Sequence, residues 1–153
     1  MQIYKGMSIN NLSILNWSDS IGVHKVNGLY VLDNPVWIDF LYNDNKFRIS
    51  VDAGAMTDGL SVPKIFRWYL PDWNDNNPLY NIAGICHDGA YGSELLSKDI
   101  ADELFYQGLL KAGISKSKAY LAKWAVEHLA GLHYGRKNDD FGISEYVNVE
   151  AIS

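Results

Sequence analysis

Residues 77–110, NPLYNIAGICHDGAYGSELLSKDIADELFYQGLL, constrain the chain most, because they commit it to two helices that carry its least interchangeable polar residues. Asn77 followed by Pro78 marks a helix start: asparagine caps free amides, and proline at the first helical position gives up a hydrogen bond that position lacks anyway. Leu79, Ile82, Ala83, Cys86 and Ala90 recur at helical spacing, which predicts a helix to about Tyr91 with these residues on its buried stripe. His87 falls beside that stripe, one turn from Ala83 and from Tyr91, at the edge of the core, and Asp88 follows it. Gly84 and Gly89 flank the pair. Each costs about 1 kcal/mol relative to alanine inside a helix, a cost that fits the close approach of another backbone or of a ligand.

Gly92 is expected to stop this helix, and Ser97 to cap a second that runs to about Ala112 and ends at Gly113. So short a connection predicts antiparallel neighbours. Asp102 lies three residues before Phe105 and seven before Leu109, so its carboxylate falls on or near the inward face and needs a partner. His87 or Tyr91 across the pair is one choice; Lys98, one turn back, is the other.

The chain around this pair has 153 residues, enough for one domain with an ordinary core. A net charge of −5 and lysines scattered over Lys111, Lys116, Lys118 and Lys123 read as a solvated helix face, with no basic stripe for nucleic acid. Cys86 is the single cysteine, so neither an internal disulfide nor a cysteine-rich zinc site is available, and it reads as a small buried apolar residue. No apolar run is long enough to cross a membrane and the first residues lack a signal-peptide pattern; a soluble product made in the cytoplasm is the expectation.

Upstream, one or two short strands are expected within residues 1–27. Leu29 to Leu32, Val36 to Tyr42 and Lys46 to Asp52 read as strands of an antiparallel meander, with turns at Asp33-Asn34-Pro35 and Asn43-Asp44-Asn45. Phe47, Ile49 and Val51 alternate with polar residues, so one face of that sheet is buried and one wet. Ser61 and Pro63 predict a short helix through Tyr69. The loop before it gathers Thr57, Asp58, Gly59 and Ser61, whose oxygens and free amides can hold an anion or a hard cation, or can simply cap that helix. Beyond the central pair, Ser115 starts a third helix through about Leu132, with Leu121, Ala125, His128 and Leu132 on one face; His128 is then a hydrogen-bonded core histidine, and His133 complements the helix dipole. The expected fold is α+β: an N-terminal antiparallel sheet packed against three main helices in one domain, residues 1–135, followed by a tail, 136–153, with a strand at Tyr146 to Val149.

TDGLSVP at Thr57 to Pro63, HDGAY at His87 to Tyr91 and ADELF at Ala101 to Phe105 together resemble an uncharacterised family of small proteins of tailed phages and prophages, marked by TDGxSxP, HDxxY and ADxxF. The resemblance implies a phage origin and an α+β fold. A second likeness is to phospholipases of the A-two type, whose helix pair carries a His-Asp step, a tyrosine three residues later and an aspartate on the partner helix. It implies His87 as general base, Asp88 as calcium ligand, Asp102 as the acid that orients the histidine and Tyr91 in the supporting network. The chain has no YGxGG-like calcium loop and no disulfides; the stretch Gly54 to Gly59 would stand in for the loop.

Two functions follow. One is a phage-encoded hydrolase that cuts an ester or amide of the cell envelope, with His87, Asp102 and Tyr91 catalytic, Asp88 or Asp58 holding a divalent cation such as calcium or zinc, and Thr57, Gly59 and Ser61 lining the ligand loop. It requires an opening to His87 that neither Trp68 nor Trp124 seals. The other is a non-enzymatic tail or capsid component, associated with the virion and bound to other virion proteins or to a host envelope component, in which a buried His87-Asp88-Asp102 network pins two helices together.

Overall fold

Two asparagine-led turns set the sheet topology. A computed structural model describes residues 11–59, 70–128, 134, 135 and 140–153. At Asn27-Gly28 both residues have positive φ, 52° and 81°, the backbone of a tight hairpin turn that glycine and asparagine adopt most readily. It joins β2 (Val23–Val26) to β3 (Leu29–Leu32). Asn43 and Asp44, at 48° and 66°, do the same between β4 (Val36–Tyr42) and β5 (Asn45–Val51). The result is two sheets. The larger has the order β1-β4-β5-β7, with β1 at Leu12–Trp17 and β7 at Val147–Ile152; the smaller has β2-β3-β6, with β6 at Met56–Thr57.

The fold is α+β, as expected, but Leu29–Leu32 does not pair with β4 in a single meander. The Asn27-Gly28 turn folds β3 back on β2, while Asn34 accepts from the Gly22 amide and Asp33 donates to its carbonyl, turning the chain out of the small sheet before β4 begins. The expected C-terminal strand forms as β7 and pairs with β5 along its full length, so the last residues close one edge of the large sheet.

Alternation explains which face of this sheet is buried. Val36, Ile38 and Phe40 of β4 lie opposite Val51, Ile49 and Phe47 of β5 and face the helices. On the other face Asp39 opposes Arg48, which forms a two-pronged ion pair with it at 2.6 and 2.9 Å and lies 3.9 Å over the Trp37 ring. Cross-strand pairs of this kind contribute about 0.2–1 kcal/mol each.

The helices follow: α1 (Pro78–Ser93), α2 (Lys98–Lys111) and α3 (Lys116–His128). Asn77 caps α1 by accepting from the Tyr80 amide, and its side-chain amide donates to the Ala112 carbonyl at 2.8 Å, tying the start of α1 to the end of α2. Ser97 caps α2 through the Ile100 amide, and Ser115 accepts from the Lys118 amide at the start of α3. Gly92 does not stop α1. The helix continues to Ser93, and Glu94 makes the left-handed exit at φ 57°, its amide donating to the Ala90 carbonyl. The expected helix after Ser61 and the end of α3, with His133, lie outside the described residues.

At Gly89 α1 packs close against the sheet. A Cβ there would stand 2.7 Å from a Val147 methyl and 3.4 Å from one of Val51. Gly108 does the same between helices, where a Cβ would stand 2.8 Å from that of Ala83. Helix propensity alone makes Gly89→Ala stabilising by about 1 kcal/mol. The packing reverses the sign: the variant is expected to lose about 1–3 kcal/mol in urea unfolding. A more stable variant would show that β7 and α1 are not in contact here.

Candidate active site

His87 lies deeper than the edge of the core. It is 4% exposed, its ring set against Tyr91 at 4.1 Å and Phe105 at 4.8 Å between centroids. The turn at Glu94 to Ser97 brings α2 back along α1, and Asp102, 0% exposed, faces the histidine across the pair. Nε2 of His87 lies 2.8 Å from Oδ1 of Asp102, and the Tyr91 hydroxyl donates to the same oxygen at 2.5 Å. Lys98 donates to Oδ2 at 2.8 Å. His87, Tyr91 and Lys98 are therefore not rival partners of Asp102: all three meet on the two oxygens of one carboxylate.

Lys98 also reaches the carbonyls of Val126 and Glu127 at the end of α3, at 3.4 and 3.2 Å. Nothing in its spacing from Asp102 reveals that role, because the third helix is far away in sequence. The lysine thus joins the carboxylate to all three helices and balances its buried charge.

Electrostatics fix the protonation pattern. Burial alone would raise the Asp102 pKa, but hydrogen bonds from His87, Lys98 and Tyr91 and the charge of His87 outweigh it, so the group lies below its ordinary value of 3.8. An ionised carboxylate only accepts, so Nε2 of His87 carries a proton, and the neutral form of the ring has its lone pair on Nδ1. Burial, then the Asp102 hydrogen bond and charge, push the Tyr91 hydroxyl well above the usual phenol range, so it stays a donor. Cys86 is buried beside this site, and burial pushes its thiol up to about 12, far from a reactive thiolate.

Nδ1 points to the Asp88 side of the ring, with Oδ1 of Asp88 at 4.0 Å. Asp88 is partly exposed. A small void of about 10 Å³ touches His87, but Cys86, Phe105, Leu104, Ile38 and Ile49 make its other walls apolar. Its size admits about one water, which would lack the two to four polar partners it needs, so the void is a packing gap.

The other expected residues do not join this cluster in the described contacts. Thr57 is buried, its hydroxyl accepting from the Gly59 amide at 3.1 Å, which braces the loop on itself; Asp58 is exposed. Gly59, at φ 98°, lies so close to the Asp72 carbonyl that no side chain fits. Ser61 and Trp68 lie outside the described residues. Among the described residues no group of three or more His, Cys, Asp or Glu side chains is placed to hold a metal ion, so these side chains alone do not make a zinc site. His128 is a correction: it is exposed, not in the core, its Nδ1 donating to the Trp124 carbonyl and its ring stacking on that of Trp124, which itself faces solvent. Of the face expected with His128, Ala125 is buried, and Ala119, Ala122 and Val126 take the inward place beside it, because small residues let α3 pack close to α2.

A family model described as protein of unknown function (DUF1353) matches residues 35–126, from the residue before β4 to near the end of α3. The chain belongs to the DUF1353 family. The matched span takes in all three motifs, and with them every member of the His87, Tyr91, Lys98 and Asp102 network. No curated protein and no solved structure matches this DUF1353 chain.

Proposed function

We propose that the protein is a phage- or prophage-encoded hydrolase that cuts an ester or amide of the bacterial cell envelope, with His87 as general base. One observation carries this reading: Asp102 occupies Nε2, so the neutral imidazole on which the mechanism depends has its lone pair on Nδ1, beside Asp88. In the reaction Nδ1 takes a proton from water as its oxygen attacks the carbonyl carbon. Asp102 stabilises the imidazolium that forms, and the ring returns the proton to the leaving group as the carbonyl bond to it breaks. Lys98 and Tyr91 hold the carboxylate in register for this step. Because His87 is 4% exposed, water and substrate reach Nδ1 only when the side chains over it part.

That same burial favours a second reading, in which the satisfied network simply pins three helices of a tail or capsid component. In either case the protein is made in the host cytoplasm and acts at the envelope or in the virion. The deciding experiment is hydrolysis by purified protein of phospholipid vesicles and of murein sacculi, with calcium, with zinc and with chelator. Turnover names the substrate class. No turnover under any of these conditions sinks the hydrolase and moves the weight to the virion component.

A further inference from the structure

Three of the six large apolar side chains exposed among the described residues, Leu110, Tyr120 and Trp124, belong to the α2–α3 hairpin. Lys98 at the start of α2 meets carbonyls at the end of α3, and Glu103 meets Lys123 at 2.9 Å, so the two helices run antiparallel. Lys123 also lies 5.2 Å over the Tyr106 ring. Leu110, one turn beyond Tyr106 on the same stripe, therefore falls level with the start of α3. There Lys116, Tyr120 and Trp124 follow one another at four-residue steps on a single face, away from buried Ala119, Ala122, Ala125 and Val126. Tyr120 is 61% and Trp124 40% exposed, and His128 extends the row by stacking on Trp124.

The charge at this tip opposes that of the whole molecule. The chain carries −5, yet no acidic residue occurs between Glu103 and Glu127, while Lys111, Lys116, Lys118 and Lys123 do. Lys123 is held by Glu103 and Glu127. Lys111 at the end of α2 and Lys116 and Lys118 at the start of α3 are exposed and make no ion pair among the described residues.

We propose that this hairpin tip docks on an anionic phospholipid surface. Tryptophan and tyrosine settle at the headgroup level, where one end of the ring is apolar and the other wet. Each lysine near an anionic leaflet adds attraction, and Leu110 supplies an apolar foothold. Nucleic acid fits less well, since arginine, which makes two-pronged phosphate contacts, is absent from the hairpin. The inference goes beyond the hydrolase reading and stands without turnover; where that reading holds, it gives the physical form of the substrate as a membrane.

The test is co-sedimentation of the full chain with vesicles of equal parts phosphatidylcholine and phosphatidylglycerol, against pure phosphatidylcholine, with and without added salt. Binding to the anionic vesicles alone, weakened by salt, is expected. Lys116→Ala with Lys118→Ala lowers partition about thirtyfold. Tyr120→Ser with Trp124→Ser lowers it too, and leaves the remainder more salt-sensitive. All four side chains are exposed, so the variants fold, which circular dichroism checks. Absence of sedimentation with anionic vesicles, equal binding by both double variants and wild type, or displacement by duplex DNA that binds more tightly would each overturn the proposal. Docking without lipid hydrolysis supports it while removing only phospholipid as the substrate of the hydrolase.

Discussion

Replacing Asp102 by asparagine is expected to lower the unfolding free energy by about 3–5 kcal/mol near neutral pH, the usual cost of breaking a buried ion pair from one side. Asparagine keeps the size but not the chemistry. Three donors converge on this carboxylate, from His87, Tyr91 and Lys98, and an amide can offer only one oxygen to them while turning its own N–H groups toward the rest. The pH dependence gives the variant a signature that a general packing defect lacks. Because the folded-state pKa of Asp102 is depressed, its contribution is present above the unfolded carboxylate value of about 3.9 and is lost as pH falls through the folded value. Wild type therefore loses stability in acid that the variant no longer has to lose, and the gap between them narrows as pH falls below about 4. Urea unfolding of both proteins across that range measures it. Parallel curves, or a neutral-pH loss under about 1 kcal/mol, would mean that the network is not formed in solution.

Much of this arrangement is legible before any coordinates, and the reasons are local. Asn77-Pro78 and Ser97 announce their helices because capping depends on residues within one turn, and Phe47, Ile49 and Val51 announce β5 because strand alternation is a nearest-neighbour pattern. The inward Asp102 follows from its spacing to Phe105 and Leu109. What escapes is decided by contacts between distant segments. Asn27-Gly28 is a strong hairpin signal, but only with Val23–Val26 recognised as its first strand does β3 leave the meander. Glu94 ends α1 although Gly92 looks the better stop, and nothing in the glycine itself tells which of two nearby residues takes the left-handed exit. His128 shares a helical face with Leu121 and Ala125 on paper, yet α3 rotates its alanines toward α2, leaving Trp124 and His128 in solvent. Gly89 was readable as a site of close approach; that Val51 and Val147, and not a ligand, fill the space required the register of β5 and β7.

The same distinction between a site and a brace decides how His87 should be tested. Alanine would leave Asp102 without one of its donors and confuse lost chemistry with lost packing, so the informative change is His87→Gln, whose amide can still donate to Oδ1 but cannot take a proton. If His87 is the base, kcat falls about a hundredfold to ten-thousandfold, the range general-base catalysis supplies, and KM stays near its wild-type value because substrate binding is untouched. Tyr91→Phe is the matched control. It removes the hydroxyl that donates to the same oxygen, at a cost of about 1 kcal/mol in stability, but leaves the His87–Asp102 contact and the Nδ1 lone pair in place. A base at Nδ1 predicts that the glutamine variant loses far more turnover than the phenylalanine variant while both keep the fold. Equal, small losses in the two would assign the network to holding α1, α2 and α3 together, and any turnover to a group elsewhere.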